Sequence, residues 1–252
     1  MGVRELEPIK LEMCIESVES AVAADLGGAQ RVELCANLLE GGTTPSAGTI
    51  AAARARVELG IQVMIRPRGG DFLYTDAEFE AMQHDIRVAK DLGADGIVFG
   101  LLNADGTVDR ERTSRLVELA APLPVTFHRA IDVSRDLMEA LETVIATGCA
   151  RVLTSGGEPS VIDGAEVVAR MVRAAGDRIL VIPGCGITTG NVRSILATTG
   201  AHEVHVALEE PLPSGMTYRK PEIPMGGVEG REYLRFLTAQ AAVAELVATI
   251  RG

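Results

Sequence analysis

Apolar residues in this chain gather into short runs that alternate with longer stretches of helical periodicity. Leu11–Ile15, Ile61–Arg66, Leu123–His128 and Ile179–Pro183 read as strands. Four more strands begin inside a recurring signature, Gly-(Ala/Cys)-x-x-(Val/Ile), at Gly28–Val32, Gly93–Ile97, Gly148–Val152 and Gly200–Val204. In each copy the glycine closes a helix at its C-terminal cap and an apolar strand follows. The copies recur at intervals of roughly 50–65 residues, about two βα units. Helical periodicity covers Asp76–Leu92, Val108–Ala120, Val161–Ala175 and Thr188–Thr198. Strands alternating with helices predict an α/β fold, and no Gly-x-Gly-x-x-Gly opens the first helix. The pattern therefore predicts a single (β/α)8 TIM-type barrel rather than a doubly wound sheet. Residues 1–252 read as one barrel domain, with a Pro- and Gly-rich loop at 211–230 and a C-terminal helix at 231–250.

Barrel strands alternate between side chains that face the helices and side chains that face the interior. With Leu11, Met13 and Ile15 outward, Glu12 and Cys14 point inward; with Val32 and Leu34 outward, Glu33 and Cys35 do the same. Arg66, Thr126, His128, Glu203 and His205 fall on inward positions of later strands. Barrel interiors favour branched aliphatic side chains, so this ring of charge needs either mutual pairing or a ligand. Function in such barrels sits at the C-terminal ends of the strands, where most of these residues lie.

Composition narrows the partners. The net charge is −11 and no cluster of Lys and Arg forms a phosphate-binding patch. Aromatics are 3% with no Trp, which removes a platform for stacking bases, so no nucleic-acid partner is expected. No apolar run is long enough to span a bilayer, and no membrane partner is expected. Met1–Glu7 is acidic and lacks the apolar core of a secretory signal, which points to a cytoplasmic protein. The four cysteines, Cys14, Cys35, Cys149 and Cys185, form no C-x-x-C pair and read as thiols. Helices of low surface charge such as Ala47–Ala55 leave room for a homo-oligomer.

Three features carry candidate chemistry. Glu12-Met-Cys14 and Glu33-Leu-Cys35 repeat one tripeptide on neighbouring strands about 4.8 Å apart. Two inward thiols there suit a soft ion such as Cu(I), or they serve as small buried hydrophobes. Thr154-Ser-Gly-Gly157 and Pro183-Gly-Cys-Gly186 are glycine turns after strands six and seven, which makes Ser155, Gly156 and Gly184 candidate ligand contacts. Glu209 and Glu210 after strand eight argue against phosphate in that region. Finally, Arg66 and Arg68 in Arg66–Phe72 could hold an anion bidentately, or pair with Glu33 and Asp71.

Segments Leu11–Ala21, Val32–Ser46, Val63–Tyr74, Leu123–Ala130 and Arg151–Gly157 together resemble the CutC family, a match running from about Leu11 to His205. The resemblance implies a TIM barrel, a cytoplasmic protein and a role in copper homeostasis, with Cu(I) at Cys14 and Cys35. Two departures stand out: the family's Pro-Gly-Gly-Gly turn is Pro183-Gly-Cys-Gly186 here, and the run after His205 is Val206-Ala-Leu-Glu-Glu210.

Two functions follow. One is copper binding through Cys14 and Cys35. The other is an enzyme acting on a small anionic metabolite, with Glu12, Glu33, Arg66 and His128 as catalytic candidates. In that reading Arg68, Ser155, Gly156, Gly184 and His205 bind ligand, Arg66 and Arg68 hold the anion, His128 moves protons and Glu12 or Glu33 orients it.

Overall fold

Strand pairing follows chain order around a ring. The strands are β1 (Lys10–Ile15), β2 (Arg31–Leu34), β3 (Gly60–Met64), β4 (Gly96–Phe99), β5 (Val125–Phe127), β6 (Arg151–Thr154), β7 (Leu180–Pro183) and β8 (Glu203–Val206). All neighbours are parallel, in the order β7-β6-β5-β4-β3-β2-β1-β8. A bridge between Gly184 and His205 joins the two ends, and the eight strands form a (β/α)8 barrel. This is a computed structural model, and it describes residues 9–252. The acidic stretch Met1–Glu7, read above for the absence of a signal, lies outside the described residues.

The intervening helices are α1 (Val18–Leu26), α2 (Ala47–Arg54), α3 (Asp76–Asp91), α4 (Arg110–Ala120), α5 (Leu137–Ala146), α6 (Val161–Ala175) and α7 (Val192–Thr199). Most start where a short polar side chain can accept from an orphan backbone N–H. Ser17, Ser46, Asp109, Asp136 and Ser160 do so, and Thr75 with Glu78 closes a reciprocal capping box on α3. Capping fixes where each helix leaves its strand, and so fixes the loops of the mouth.

Alternation along the strands divides the core in two. Leu11, Met13, Ile15, Val32 and Leu34 belong to the large apolar layer between barrel and helices. Cys14, Cys35, Met64 and Val98 form a small separate cluster on the inward side, with Leu38 against it. Below it the interior is polar: Glu12, Arg31, Gln62, Thr126, Arg151 and Glu203 are all buried.

Several boundaries differ from the sequence pattern. β3 stops at Met64 and β5 at Phe127, so Arg66 and His128 stand just beyond their strands, at the mouth. The region after β8 is not a loop followed by a helix from Arg231. Glu210–Pro213 (β9) and Leu234–Leu237 (β10) pair antiparallel, and the last helix, α8, is Gln240–Arg251. Leu234-Arg-Phe-Leu237 alternates in strand fashion, and tertiary contacts hold it extended. Arg235 Nη2 donates to Glu19 at 2.5 Å, and the Thr238 N–H donates to Ser20 Oγ at 3.0 Å. Among the described residues, no helix is long and apolar enough to cross a membrane.

Candidate thiol and imidazole site at the barrel mouth

The site is built on the register of β1 with its two neighbours. Glu12 stands opposite His205 on β8 and Arg31 on β2, while Cys14 stands opposite Glu33. Arg31 donates through Nε to Glu12 and through Nη2 to Glu203 at 2.6 Å, bridging two buried carboxylates. His205 Nδ1 lies 2.8 Å from Glu12 Oε1, and its Nε2 lies 3.7 Å from Glu33 Oε2. Cys14 Sγ and Cys35 Sγ approach the same Glu33 oxygen, at 3.4 and 3.5 Å. One continuous polar chain thus runs from Glu203 through Arg31, Glu12 and His205 to Glu33 and the two thiols.

Electrostatics sort the chain into charged and neutral members. Burial would raise the Glu12 carboxyl, but the His205 hydrogen bond and the Arg31 charge outweigh it and hold the group down to about 2. Burial would likewise discharge His205. The Glu33, Cys14 and Glu12 groups around it prevail and keep its imidazolium well above the usual histidine range. Glu33 is pushed up to about 8, chiefly by burial, with the Cys14 and Glu12 charges adding to it against the His205 cation. Cys14 is drawn down to about 5 by the Cys35 thiol beside it and by His205 and Glu33, against its burial. Cys35 goes the other way, raised by Cys14 and by burial. The environment thus favours the charged forms of Glu12, His205 and Cys14 and the neutral forms of Glu33 and Cys35.

Above this chain opens a cavity of about 700 Å³. Cys14, Glu33, Arg66, His128 and His205 border it, so five predicted residues meet there. The others stand elsewhere. Glu12 lies beneath the cavity wall, bound to Arg31 and His205, which makes it a positioning residue rather than a catalytic one. Cys35 is fully buried; a Cβ on Gly42, whose φ is +87°, would sit 3.0 Å from its sulfur. Arg68 does not border the cavity, and its guanidinium is taken by Glu78 at 2.6 Å and Asp71 at 2.9 Å. Arg66 pairs with neither Glu33 nor Asp71; it donates to the backbone carbonyls of Glu40, Gly42 and Gly70 at 2.6, 2.9 and 2.8 Å.

Four amides of the glycine turns are engaged within the fold. Ser155 and Gly157 donate their N–H groups to the Asp132 carboxylate, Gly156 donates to Thr154 Oγ1, and Gly184 donates to the Thr154 carbonyl. Asp132 thus already supplies the anion that Ser155 and its neighbours bind, which removes Ser155, Gly156 and Gly184 as backbone ligand contacts. His128 also departs from expectation. Its Nδ1 accepts from the Ala130 N–H at 3.1 Å, and burial, with the Arg66 charge, pushes it down to about 3. A neutral ring whose remaining nitrogen carries the proton is a hydrogen-bond donor, not a base.

Sequence reasoning passed over Arg31, Gln62, Arg151 and Asp132. Arg151 donates to Thr126 Oγ1 at 3.0 Å and to Gln62 Oε1 at 2.5 Å inside the barrel. The alternation that found Glu33 also marks Gln62, between Ile61 and Val63.

A (β/α)8 barrel with thiols, imidazole and carboxylate converging on its mouth defines the class to which the chain belongs. Residues 9–210 match the model of the CutC family, and the chain belongs to that family. It is 49% identical over 236 residues to a family protein CutC of Chromobacterium violaceum, covering 94% of this chain and 96% of that one. It is 51% identical over 216 residues to a mouse protein named copper homeostasis protein cutC homolog, covering 86% of this chain and 79% of that one. A solved CutC structure from Streptococcus agalactiae superposes with a TM-score of 0.73 at 36% identity, covering 78% of this chain and 97% of the other.

Proposed function

We propose that this chain acts in copper homeostasis in the cytoplasm, binding copper as Cu(I) through Cys14 and Cys35. The observation that carries this reading is the thiol cluster: Cys14, Cys35 and Glu33 each offer a ligand atom, and these atoms lie within 4.8 Å of one another. Thiolates are the soft ligands that Cu(I) selects, and the Cys35 thiol and His205 beside Cys14 draw it toward its thiolate. Cys35, whose Sγ lies 3.5 Å from Glu33 Oε2, must release its proton on coordination, which makes metal affinity rise with pH. Glu12, Glu33 and His205 also lie within 4.8 Å of one another. That second group suits a metal less well, because Glu12 is engaged by Arg31 and His205 holds a proton. All four cysteines are free, which accords with a reducing compartment. The names of the mouse and human relatives, both copper homeostasis protein cutC homologs, support the same reading. Titration of reduced protein with Cu(I) against a competing chelator tests it. Cys14→Ser with Cys35→Ser should weaken binding at least tenfold, and an unchanged affinity would remove the proposal.

One observation favours a second reading, a barrel enzyme for a small anionic metabolite. A cavity of about 700 Å³ is far larger than an ion needs and matches the size of pockets that enclose small organic molecules.

A further inference from the structure

One wall of the cavity collects hydrogen-bond donors that lack acceptors. Arg66 is 5% exposed, borders the cavity, and has no carboxylate within salt-bridge distance among the described residues. Its Nε has no hydrogen-bond partner among the described residues, and neither does His128 Nε2. Buried charge and buried N–H groups are costly when left unmatched, so this juxtaposition calls for an acceptor that is also an anion. The two side chains are rigidly presented. Three backbone carbonyls hold the Arg66 guanidinium, while the His128 ring is fixed by the Ala130 N–H and by Gly100, where a Cβ would sit 2.5 Å from His128 Nδ1.

Phe72 stands against both groups. Its ring centroid is 5.0 Å from that of His128 and 5.1 Å from Arg66 Cζ, and the residue is only half-buried at the cavity wall. The rest of the lining is mainly apolar, with Leu38, Met64, Val133, Leu153 and Ile187 among it. Cys14, held toward its thiolate, and Glu209 border the same space, so a dianion would meet more repulsion there than a monoanion.

We infer that the cavity binds a small, largely apolar monocarboxylate, its carboxylate seated between Arg66 and His128 after Phe72 rotates aside, and its body lying over the apolar lining toward Cys14. One cation and one neutral N–H match one carboxylate, as a phosphate dianion would not be matched. The inference rests on the small-molecule reading of the cavity and deepens it by naming the ligand class. Its readout is binding alone, so it stands or falls independently of whether the bound acid reacts.

Calorimetry on the copper-free, full-length protein at pH 7 tests it with phenylacetate, 3-phenylpropionate and indole-3-acetate, each beside its amide and beside phenyl phosphate. At least one acid is expected to bind, with its amide and phenyl phosphate weaker by tenfold or more. His128→Phe should weaken that acid by a similar factor while circular dichroism stays unchanged. The acid-against-amide comparison needs no variant, so it holds even where a substitution fails to fold. Failure of all three acids to bind at millimolar concentration, equal binding of acid and amide, or indifference of a folded His128→Phe protein would each overturn the inference.

Discussion

His205 Nδ1 lies 2.8 Å from Glu12 Oε1 across paired strands β8 and β1, with both side chains buried. The pair sets a pH window for stability. Glu12 sits below its unfolded value, so its contribution is present above pH 4.5 and lost as the pH falls toward about 2. His205 sits above its unfolded value, so its contribution is full below pH 6.5 and lost as the pH rises through the folded value. The pair is therefore at full strength between pH 4.5 and 6.5. Glu12→Gln should cost on the order of 3 kcal/mol in urea unfolding at pH 6 and progressively less toward pH 2. A difference that does not shrink with acid would show that Glu12 is not ionised in the fold.

Cys14 should behave as a thiolate well below neutral pH. Its alkylation by iodoacetamide, followed by mass spectrometry of the peptide that carries it, should vary little between pH 6 and 8. An ordinary thiol gains roughly tenfold per pH unit in that range. Cys35, fully buried and raised, should stay unmodified in the folded protein. A Cys14 rate that climbs with pH like a free thiol would contradict the ion-pair arrangement.

Asp132 gathers donors from Arg129, Thr154, Ser155 and Gly157, and so ties the loop after β5 to the turn after β6. Asp132→Asn replaces an acceptor-only carboxylate with an amide that turns two donors toward them. A loss of about 2–4 kcal/mol is expected in denaturant unfolding, with faster amide exchange at Ser155 and Gly157.

Gly164 in α6 makes the opposite case to helix propensity. Alanine in a helix interior is favoured over glycine by about 1 kcal/mol. A Cβ on Gly164, however, would sit 1.9 Å from the Ser155 carbonyl oxygen. Gly164→Ala should therefore lower Tm, and a Tm at or above that of the unchanged protein would mean that helix and turn separate freely.

The barrel was legible because two periodicities, strand and helix, each had a clear apolar set. The same alternation placed Cys14, Glu33 and His205 at the mouth. Where it failed, the cause lies in contacts that leave no local trace. Arg66 is held by backbone carbonyls, which any residue supplies, and Asp132 reaches the turn after β6 only through the folded chain. Glu12 satisfied the alternation as well as Glu33 did. Height along the barrel separates them, and that depends on the strand register. The Leu234–Leu237 strand lost to a helical reading because its partner β9 lies across a long excursion.

The ring of strands has one weak join. Every other neighbouring pair shares a ladder, whereas β7 and β8 meet through the bridge between Gly184 and His205. The residue that brings the imidazole to the mouth is thus also, through its backbone, the clasp of the hoop. Deuterium uptake should enter the barrel along this seam first, and copper bound at Cys14 and Cys35, beside His205, should slow it there more than anywhere else in the strands.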